Sequence, residues 1–277
     1  MGDYVWNGER LIDRKDAKTD VEDRGYTFGD GVYEVFRVYR GVVFEAQRHW
    51  ERFVRSAREL RIALPYTIDE LQRGIEELVQ ADRLAEGIVY LQLTRGVAPR
   101  AHPFPADAKP VLTAFTKPIA KPENELRTGC KVVVQPDIRW LRCDIKSLNL
   151  LPNLLAKQAA VEAGASEAVL HRDGVVTEGS SSNFAIVKDG VVRTHPANHL
   201  ILHGITRAVA LDLANELGVP VSLEPFTLEE AKAADEAFLM GTTVEIMPVV
   251  SFDGAPVGGG TPGPVTRKLQ EAFEARL

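Results

Sequence analysis

A chain of 277 residues, 45% of them apolar, holds enough material for one or two domains with a sizeable core. Net charge is only −6 and the basic residues are scattered, which sets aside a nucleic-acid partner gripped by its phosphates. Cys130 and Cys143 in no metal or redox spacing, six dispersed histidines and no apolar run of bilayer or signal-peptide length set aside a disulfide framework, a metal site and a membrane anchor, and point to a reducing, cytoplasmic setting.

The chain opens with a hairpin signal. Tyr4-Val5-Trp6 and Arg10-Leu11-Ile12 flank Asn7-Gly8, a dipeptide that tolerates the left-handed backbone of a tight reversal. Residues 32–39 alternate, so Tyr33, Val35, Arg37 and Tyr39 share one strand face and Val32, Glu34, Phe36 and Val38 the other. Neither set is purely apolar, which suggests that one face borders a cleft. Helices are predicted over 47–60 and 68–81, the second opened by a capping box of Thr67 and Glu70. Strands over 88–94 and 111–116 complete a compact α/β unit. Residues 118–123, proline-rich and polar, read as a linker, giving an N-terminal α/β domain over 1–117 and a C-terminal domain over 124–277.

Beyond it, residues 131–135 read as a strand, and Asn149 reads as the cap of a helix with Pro152 in its first turn, where a missing N–H costs little. Asp173-Gly174 marks a hairpin between 168–170 and 175–176, and Asp189-Gly190 another between 184–187 and 191–192. The second half is thus strand-rich. Ile205, Val209, Leu213 and Leu217 recur at helical spacing, Thr227 with Glu230 repeats the capping-box signal, and Val265, Leu269 and Phe273 mark a C-terminal amphipathic helix.

Several stretches offer chemistry. Lys146 sits between Ile145 and Ser147-Leu148 just ahead of a helix. A Schiff-base lysine must spend time as the neutral amine, which an apolar setting favours, but a solvated lysine is the plainer reading. Glu178 ends a strand before Ser180-Ser181-Ser182; its carboxylate could keep a proton on a pyridine nitrogen, or the run could be a polar turn. His203-Gly204-Ile205-Thr206 opens a helix, and Gly241-Thr242-Thr243 follows the apolar Phe238-Leu239-Met240. Both offer N–H groups and hydroxyls to a phosphate, and both read equally as ordinary capped elements. Arg52 shares a helix with Arg48, Arg55, Arg58 and Arg61, and spacing does not single it out. Arg100 and His102 project from the proline-stiffened loop 95–105, a setting suited to a small carboxylate or to incidental surface charge.

Taken in order, four segments resemble the motifs of fold-type IV pyridoxal-phosphate enzymes, and the resemblance runs essentially end to end. They are Arg24-Gly25-Tyr26-Thr27-Phe28-Gly29-Asp30-Gly31-Val32-Tyr33-Glu34-Val35, Asp144-Ile145-Lys146-Ser147-Leu148-Asn149, Thr177-Glu178-Gly179-Ser180-Ser181-Ser182-Asn183 and Gly204-Ile205-Thr206-Arg207. Within that group the chain is most similar to D-amino acid transaminases, because Arg100-Ala101-His102 matches their carboxylate-trapping loop and the lead-in Trp140-Leu141-Arg142-Cys143 agrees. Branched-chain L-amino acid aminotransferases, aminodeoxychorismate lyases and R-selective amine transaminases share the cofactor motifs but typically lack that loop, and they stand as the alternatives.

The resemblance implies a mixed α/β fold with a small N-terminal α/β domain and a larger strand-rich C-terminal pseudo-barrel domain. It also implies pyridoxal 5'-phosphate, a homodimer, and amino transfer between D-amino acids such as D-alanine, D-glutamate and D-aspartate and 2-oxo acids such as 2-oxoglutarate and pyruvate. By position, Lys146 resembles the lysine that holds the cofactor covalently and moves the proton, and Glu178 the partner of the ring nitrogen. Arg52, Ile205, Thr206 and Thr242 look like the phosphate cup, Leu202 like the residue packed on the ring, and Ser181, Ser182, Gly204 and Gly241 fall in the same cofactor-binding stretches. Tyr33, Arg100 and His102 resemble the trio that binds the substrate α-carboxylate, with Val35 beside Tyr33. Gly241 stands where the best-known members carry serine. Arg37, on the Tyr33 face, either biases the pocket toward acidic substrates or points outward.

Overall fold

The computed structural model describes residues 2–277. They divide into two compact units, one running up to Ala120 together with Ile145–Asn149, the other comprising Lys121–Asp144 and Leu150–Leu277.

The first unit contains β1 (Tyr4–Trp6), β2 (Leu11–Asp13), α1 (Arg24–Phe28), β3 (Gly31–Tyr39), β4 (Val42–Val43), α2 (Ala46–Glu59), α3 (Ile68–Ala81), β5 (Gly87–Thr94) and β6 (Val111–Pro118). Its strands form one antiparallel sheet in the order β2-β1-β6-β5-β3-β4. The alternation in β3 decides which side is core. Val32, Phe36 and Val38 are sealed against Trp50 and Phe53 of α2 and Leu71, Ile75 and Leu78 of α3, each buried side chain contributing about 1.5–3 kcal/mol. Tyr33, Val35, Tyr90 and Phe115 lie half-buried on the other side, where rings stack at 5.7 Å (Tyr33 on Tyr90) and 5.0 Å (Tyr90 on Phe115). Gly74 lets α3 approach this sheet, because a Cβ there would lie 2.2 Å from the Trp6 indole.

The capping box of Thr67 and Glu70 is present at the start of α3. At the first hairpin the reversal takes four residues. Gly8 alone adopts a positive φ, and the Asn7 side chain accepts from the N–H groups of Glu9 and Arg10, which starts the return strand at Leu11. The short α1 was not expected; Asp23 caps it by accepting from Gly25 N, and left-handed Gly29 ends it.

The second unit contains α4 (Glu123–Thr128), β7 (Cys130–Pro136), α5 (Leu151–Glu162), β8 (Glu167–Arg172), β9 (Val175–Gly179), β10 (Asn183–Lys188), β11 (Val191–Thr194), α6 (Ile205–Glu216), β12 (Val221–Ser222), α7 (Leu228–Lys232), β13 (Glu236–Gly241), β14 (Glu245–Phe252), β15 (Ala255–Pro256) and α8 (Pro264–Glu274). Its nine-stranded sheet runs β12-β11-β10-β13-β14-β7-β8-β9, with β15 on β14. Three pairings are parallel: β11 with β12, β14 with β7 and β7 with β8. Successive strands β9 and β10 lie five places apart in that order yet are joined by residues 180–182 alone. Five flat spacings would span about 24 Å, whereas four Cα steps reach at most about 15 Å, so the sheet curls back on itself. Gly179 N closes the joining turn by donating to Ser182 O at 2.7 Å. This is the strand-rich, barrel-like arrangement that the motifs implied.

Asp173-Gly174 and Asp189-Gly190 form two-residue turns with positive φ at both positions, and Thr227 with Glu230 caps α7. Arg40-Gly41, between β3 and β4, and Asp253-Gly254, between β14 and β15, make two more turns of the same kind that the sequence reading passed over. Asn149 does not cap α5. Its amide donates to Gly29 O at 3.2 Å, and the helix starts after Leu150 with Pro152 in its first turn. No helix among the described residues is long and apolar enough to cross a membrane.

Candidate active site

Lys146 belongs to the first unit. Ile145 is sunk in that unit's core, and the backbone after it runs beside β3: Tyr33 N donates to Lys146 O at 3.0 Å, Leu148 N to Gly31 O at 3.0 Å, and Lys146 N to Ser56 Oγ at 3.3 Å. These bonds fix the Cα while the side chain stays half-buried. Nζ lies 4.3 Å from the centroid of the Tyr33 ring, a cation–π distance. Among the described residues no carboxylate pairs with this amine, so its nitrogen is not committed to a structural ion pair.

Arg52 is the arginine of α2 that turns inward. Its Nε and Nη2 donate to the two oxygens of Glu34, at 3.0 and 2.6 Å, and His49 Nδ1 lies 3.1 Å from the same carboxylate. Glu34 comes from the core face of β3 and is completely buried. Burial pushes its carboxyl up, but Arg52 and His49 outweigh that and hold it well below the usual carboxylate range. A carboxyl depressed by folding contributes stability above its unfolded value and loses it as pH falls toward its folded value. Glu34→Gln is therefore expected to cost about 3–5 kcal/mol at neutral pH, as removal of one partner from a buried pair does. Urea titrations at several pH values should show the difference from wild type constant down to roughly pH 4.5 and shrinking below it.

Tyr33 and Val35 share the half-buried face, and Val35 pairs with Tyr90. Arg100 and His102 are exposed and lie against Phe28, the guanidinium 4.7 Å and the imidazole 5.7 Å from its ring centroid. Arg24 holds their loop by donating to Ala101 O at 2.6 Å. No hydrogen bond or ring contact joins Arg100 or His102 to Tyr33 among the described residues. Arg37 does not point outward: it is buried, donates to Ile119 O at 3.1 Å and lies 5.0 Å from the Tyr39 ring centroid.

In the second unit, Glu178 is buried near the end of β9 and three donors converge on it. Arg139 Nη1 donates at 2.5 Å, Leu202 N at 3.0 Å and Asn183 Nδ2 at 2.7 Å. Burial raises the carboxyl, with Arg139 and Leu202 N opposing. The second amide proton of Asn183 goes to Leu202 O at 2.9 Å, which ties Glu178 to the turn before α6. Gly204 closes that turn, and a Cβ there would lie 1.9 Å from Asn183 Oδ1, so any larger residue would displace the Asn183 amide that holds Glu178.

Ser181 and Ser182 donate their hydroxyls to Glu167, at 2.7 and 3.1 Å, so their lone pairs remain as acceptors. A Cβ on Gly241 would lie 3.5 Å from Ser182 Cβ and 3.1 Å from Val244 Cγ2, so the end of β13 adjoins the serines, with Thr242 next in the turn. The fold thus gathers Glu178, Ser181, Ser182, Leu202, Gly204 and Gly241.

Residues 205–207 open α6, whose N-cap Gly204 has no capping side chain. Ile205 and Thr206 are buried residues at the first two helical positions, where the N–H groups have no acceptor within the helix and the N-cap supplies none. Such donors at the N-terminus of a 12-residue helix suit a phosphate, and a buried carboxylate set among donors suits a protonated ring nitrogen. The residues fit the cofactor that the motifs imply. Sequence reasoning missed Arg139 and Glu167, and gave no role to Glu34 although it lies in a quoted motif. Asn183 closes a motif it had quoted, but nothing local marked Arg139 beyond a charge among apolar neighbours.

The class IV amino-transferase family model matches residues 31–252. The D-alanine aminotransferase of Staphylococcus haemolyticus is 50% identical over 268 residues, 96% of this chain and 95% of its own length. Among solved structures, the branched-chain amino acid aminotransferase of Escherichia coli superimposes with a TM-score of 0.95 at 30% identity, covering 99% of this chain and 94% of that one. The branched-chain amino acid aminotransferase of Thermobaculum terrenum in its PLP-form gives 0.89 at 27% identity, covering 99% and 93%.

Proposed function

The chain belongs to the class IV aminotransferase family, and from that premise we propose that it transfers amino groups between D-amino acids and 2-oxo acids with pyridoxal 5'-phosphate as cofactor. One observation carries the choice of substrate: identity with the D-alanine aminotransferase is far higher than with the branched-chain enzymes, although the backbones of the latter superimpose closely. Backbone is common property across the class, whereas the side chains of the site decide handedness.

When bound, the cofactor supplies an electron sink for negative charge at the substrate Cα. Lys146 acts first as nucleophile and then carries the Cα proton, roles that suit an amine without a carboxylate partner. Glu178 holds a proton on the ring nitrogen. The N–H groups of Ile205 and Thr206, with Thr242 and Arg52, hold the phosphate, and Leu202 packs against the ring. Ser181, Ser182 and the small residues Gly204 and Gly241 complete the cofactor side. Tyr33, Arg100 and His102 hold the α-carboxylate beside Val35, so that the Cα–H bond of a D-substrate faces Lys146 and that of an L-substrate does not. Mixing the holoenzyme with D-alanine should bleach its visible absorption, and L-alanine and L-leucine should leave it unchanged. Bleaching by L-leucine instead would favour the branched-chain reading.

Arg100 and His102 are exposed, lie against Phe28 and make no hydrogen bond or ring contact with Tyr33 among the described residues, so we assign them to the site of a second copy. Leu151, Leu154 and Leu155 of α5, and separately Ile138, Trp140 and Leu141, are exposed apolar side chains of the kind a homodimer covers. Refolding Lys146→Ala together with Arg100→Ala is expected to restore activity in mixed dimers, where one site receives both wild-type residues. Lack of any recovery would place the loop in its own subunit's site. Two free, buried cysteines support our placing the enzyme in the reducing cytoplasm.

A further inference from the structure

Among the described residues Arg139 is the one cation in contact with Glu178, and the reaction as described leaves it without a role. Its side chain is nearly buried, at 7% exposure against 4% for that of Glu178. Asp137 grips it in a fork, Nε to Oδ1 at 2.9 Å and Nη2 to Oδ2 at 2.8 Å, and Leu200 O accepts at 3.3 Å. Asp137 is held in turn by Thr177 Oγ1 at 2.9 Å and Arg172 Nε at 3.2 Å. The result is a chain of alternating charge, Arg172, Asp137, Arg139 and Glu178, that leaves Arg139 Nη1 aimed at Glu178.

We propose that Arg139 is a positioning residue for the transamination: it holds Glu178 as an oriented anion, so that the cofactor ring nitrogen rather than Glu178 carries the proton they share. This rests on the reading of Glu178 as the ring-nitrogen partner. A carboxyl buried this deeply favours the neutral acid unless a cation touches it. The shared proton has two positions, and a cation 2.5 Å from the carboxylate stabilises the charged arrangement because it stands against the anion. Other groups act on Glu178 less directly. Asp137 raises its carboxyl, the charge of Arg207 on α6 couples to it while that side chain donates to His195 O, and the Cys143 thiol is coupled to both Glu178 and Arg139. Asn183 and Leu202 N contribute dipoles without charge.

The test uses holoenzyme reconstituted with ring-15N cofactor, in wild type, Glu178→Gln, Arg139→Gln and Arg139→Lys, with the nitrogen resonance followed against pH by NMR. Wild type should show a protonated nitrogen through neutral pH, and Glu178→Gln an unprotonated one. Arg139→Gln should move at least half of that distance, with its protonation midpoint lowered by about one pH unit or more. Arg139→Lys, which keeps the charge but not the fork, should stay near wild type, a rescue that a purely structural role would not give. If Glu178→Gln shifts the resonance and Arg139→Gln does not, the role of Arg139 is refuted and that of Glu178 stands. If Glu178→Gln itself leaves the resonance unmoved, the Glu178 reading fails first. Should Arg139→Gln not retain cofactor, the lysine variant decides, and loss of ring protonation there overturns the charge argument.

Discussion

Replacing Lys146 with alanine is expected to lower turnover on D-alanine by about 10,000-fold, roughly 5.5 kcal/mol of barrier and the upper end of what a positioned acid or base contributes. Under the proposed assignment one nitrogen serves both as nucleophile and as proton carrier, so a single truncation removes both roles. The substitution leaves the fold alone, because Ile145 supplies the core contact and the backbone of residue 146 supplies the bonds to Tyr33 and Ser56. Thermal unfolding should therefore change little while turnover collapses. Borohydride reduction followed by peptide mapping should locate a pyridoxyl group on residue 146 of the wild type and none on the variant. An unmodified Lys146 peptide from reduced wild type would overturn the assignment.

Glu178→Gln is expected to lower kcat by about 100- to 1,000-fold, the range for removing one preorganised electrostatic partner, with a smaller loss of cofactor affinity. Under the proposed assignment the phosphate contacts and Lys146 would still hold the cofactor, whereas the ring-nitrogen proton would lose its counter-charge. Stability should fall as well. Arg139, Asn183 and Leu202 all donate to this carboxylate, and a glutamine offers one acceptor oxygen in place of two, so at least one buried donor is left unmatched at about 1–3 kcal/mol. Measuring kcat and the cofactor dissociation equilibrium on the same preparation separates the two effects. Equal losses in both would show that Glu178 anchors the cofactor without tuning it.

Several elements were legible because their causes are local. Asp173-Gly174 and Asp189-Gly190 form their turns because two adjacent residues supply the positive φ values, and the capping boxes at Thr67 and Thr227 form because both partners lie within one helical turn. The alternation of β3 separated a core face from a half-open one, although Glu34 sits among the core residues and Arg37 is buried against Ile119 O. Asn149 was misread for the converse reason: its amide found a carbonyl 120 residues away in sequence instead of the helix end beside it.

By itself the chain specified what depends on near neighbours: the turns, the helix caps, the strand periodicity, and the order of motifs that bring Lys146, Glu178 and Gly204-Ile205-Thr206 into one family pattern. Tertiary structure alone decided which charges meet. Arg52 and not Arg48, Arg55 or Arg58 grips Glu34, Arg139 reaches Glu178 across 39 residues, and Glu167 collects the hydroxyls of Ser180, Ser181 and Ser182. Coulombic and hydrogen-bond energies fall with distance in space, and only the curled sheet and the packed helices turn separation along the chain into separation in space.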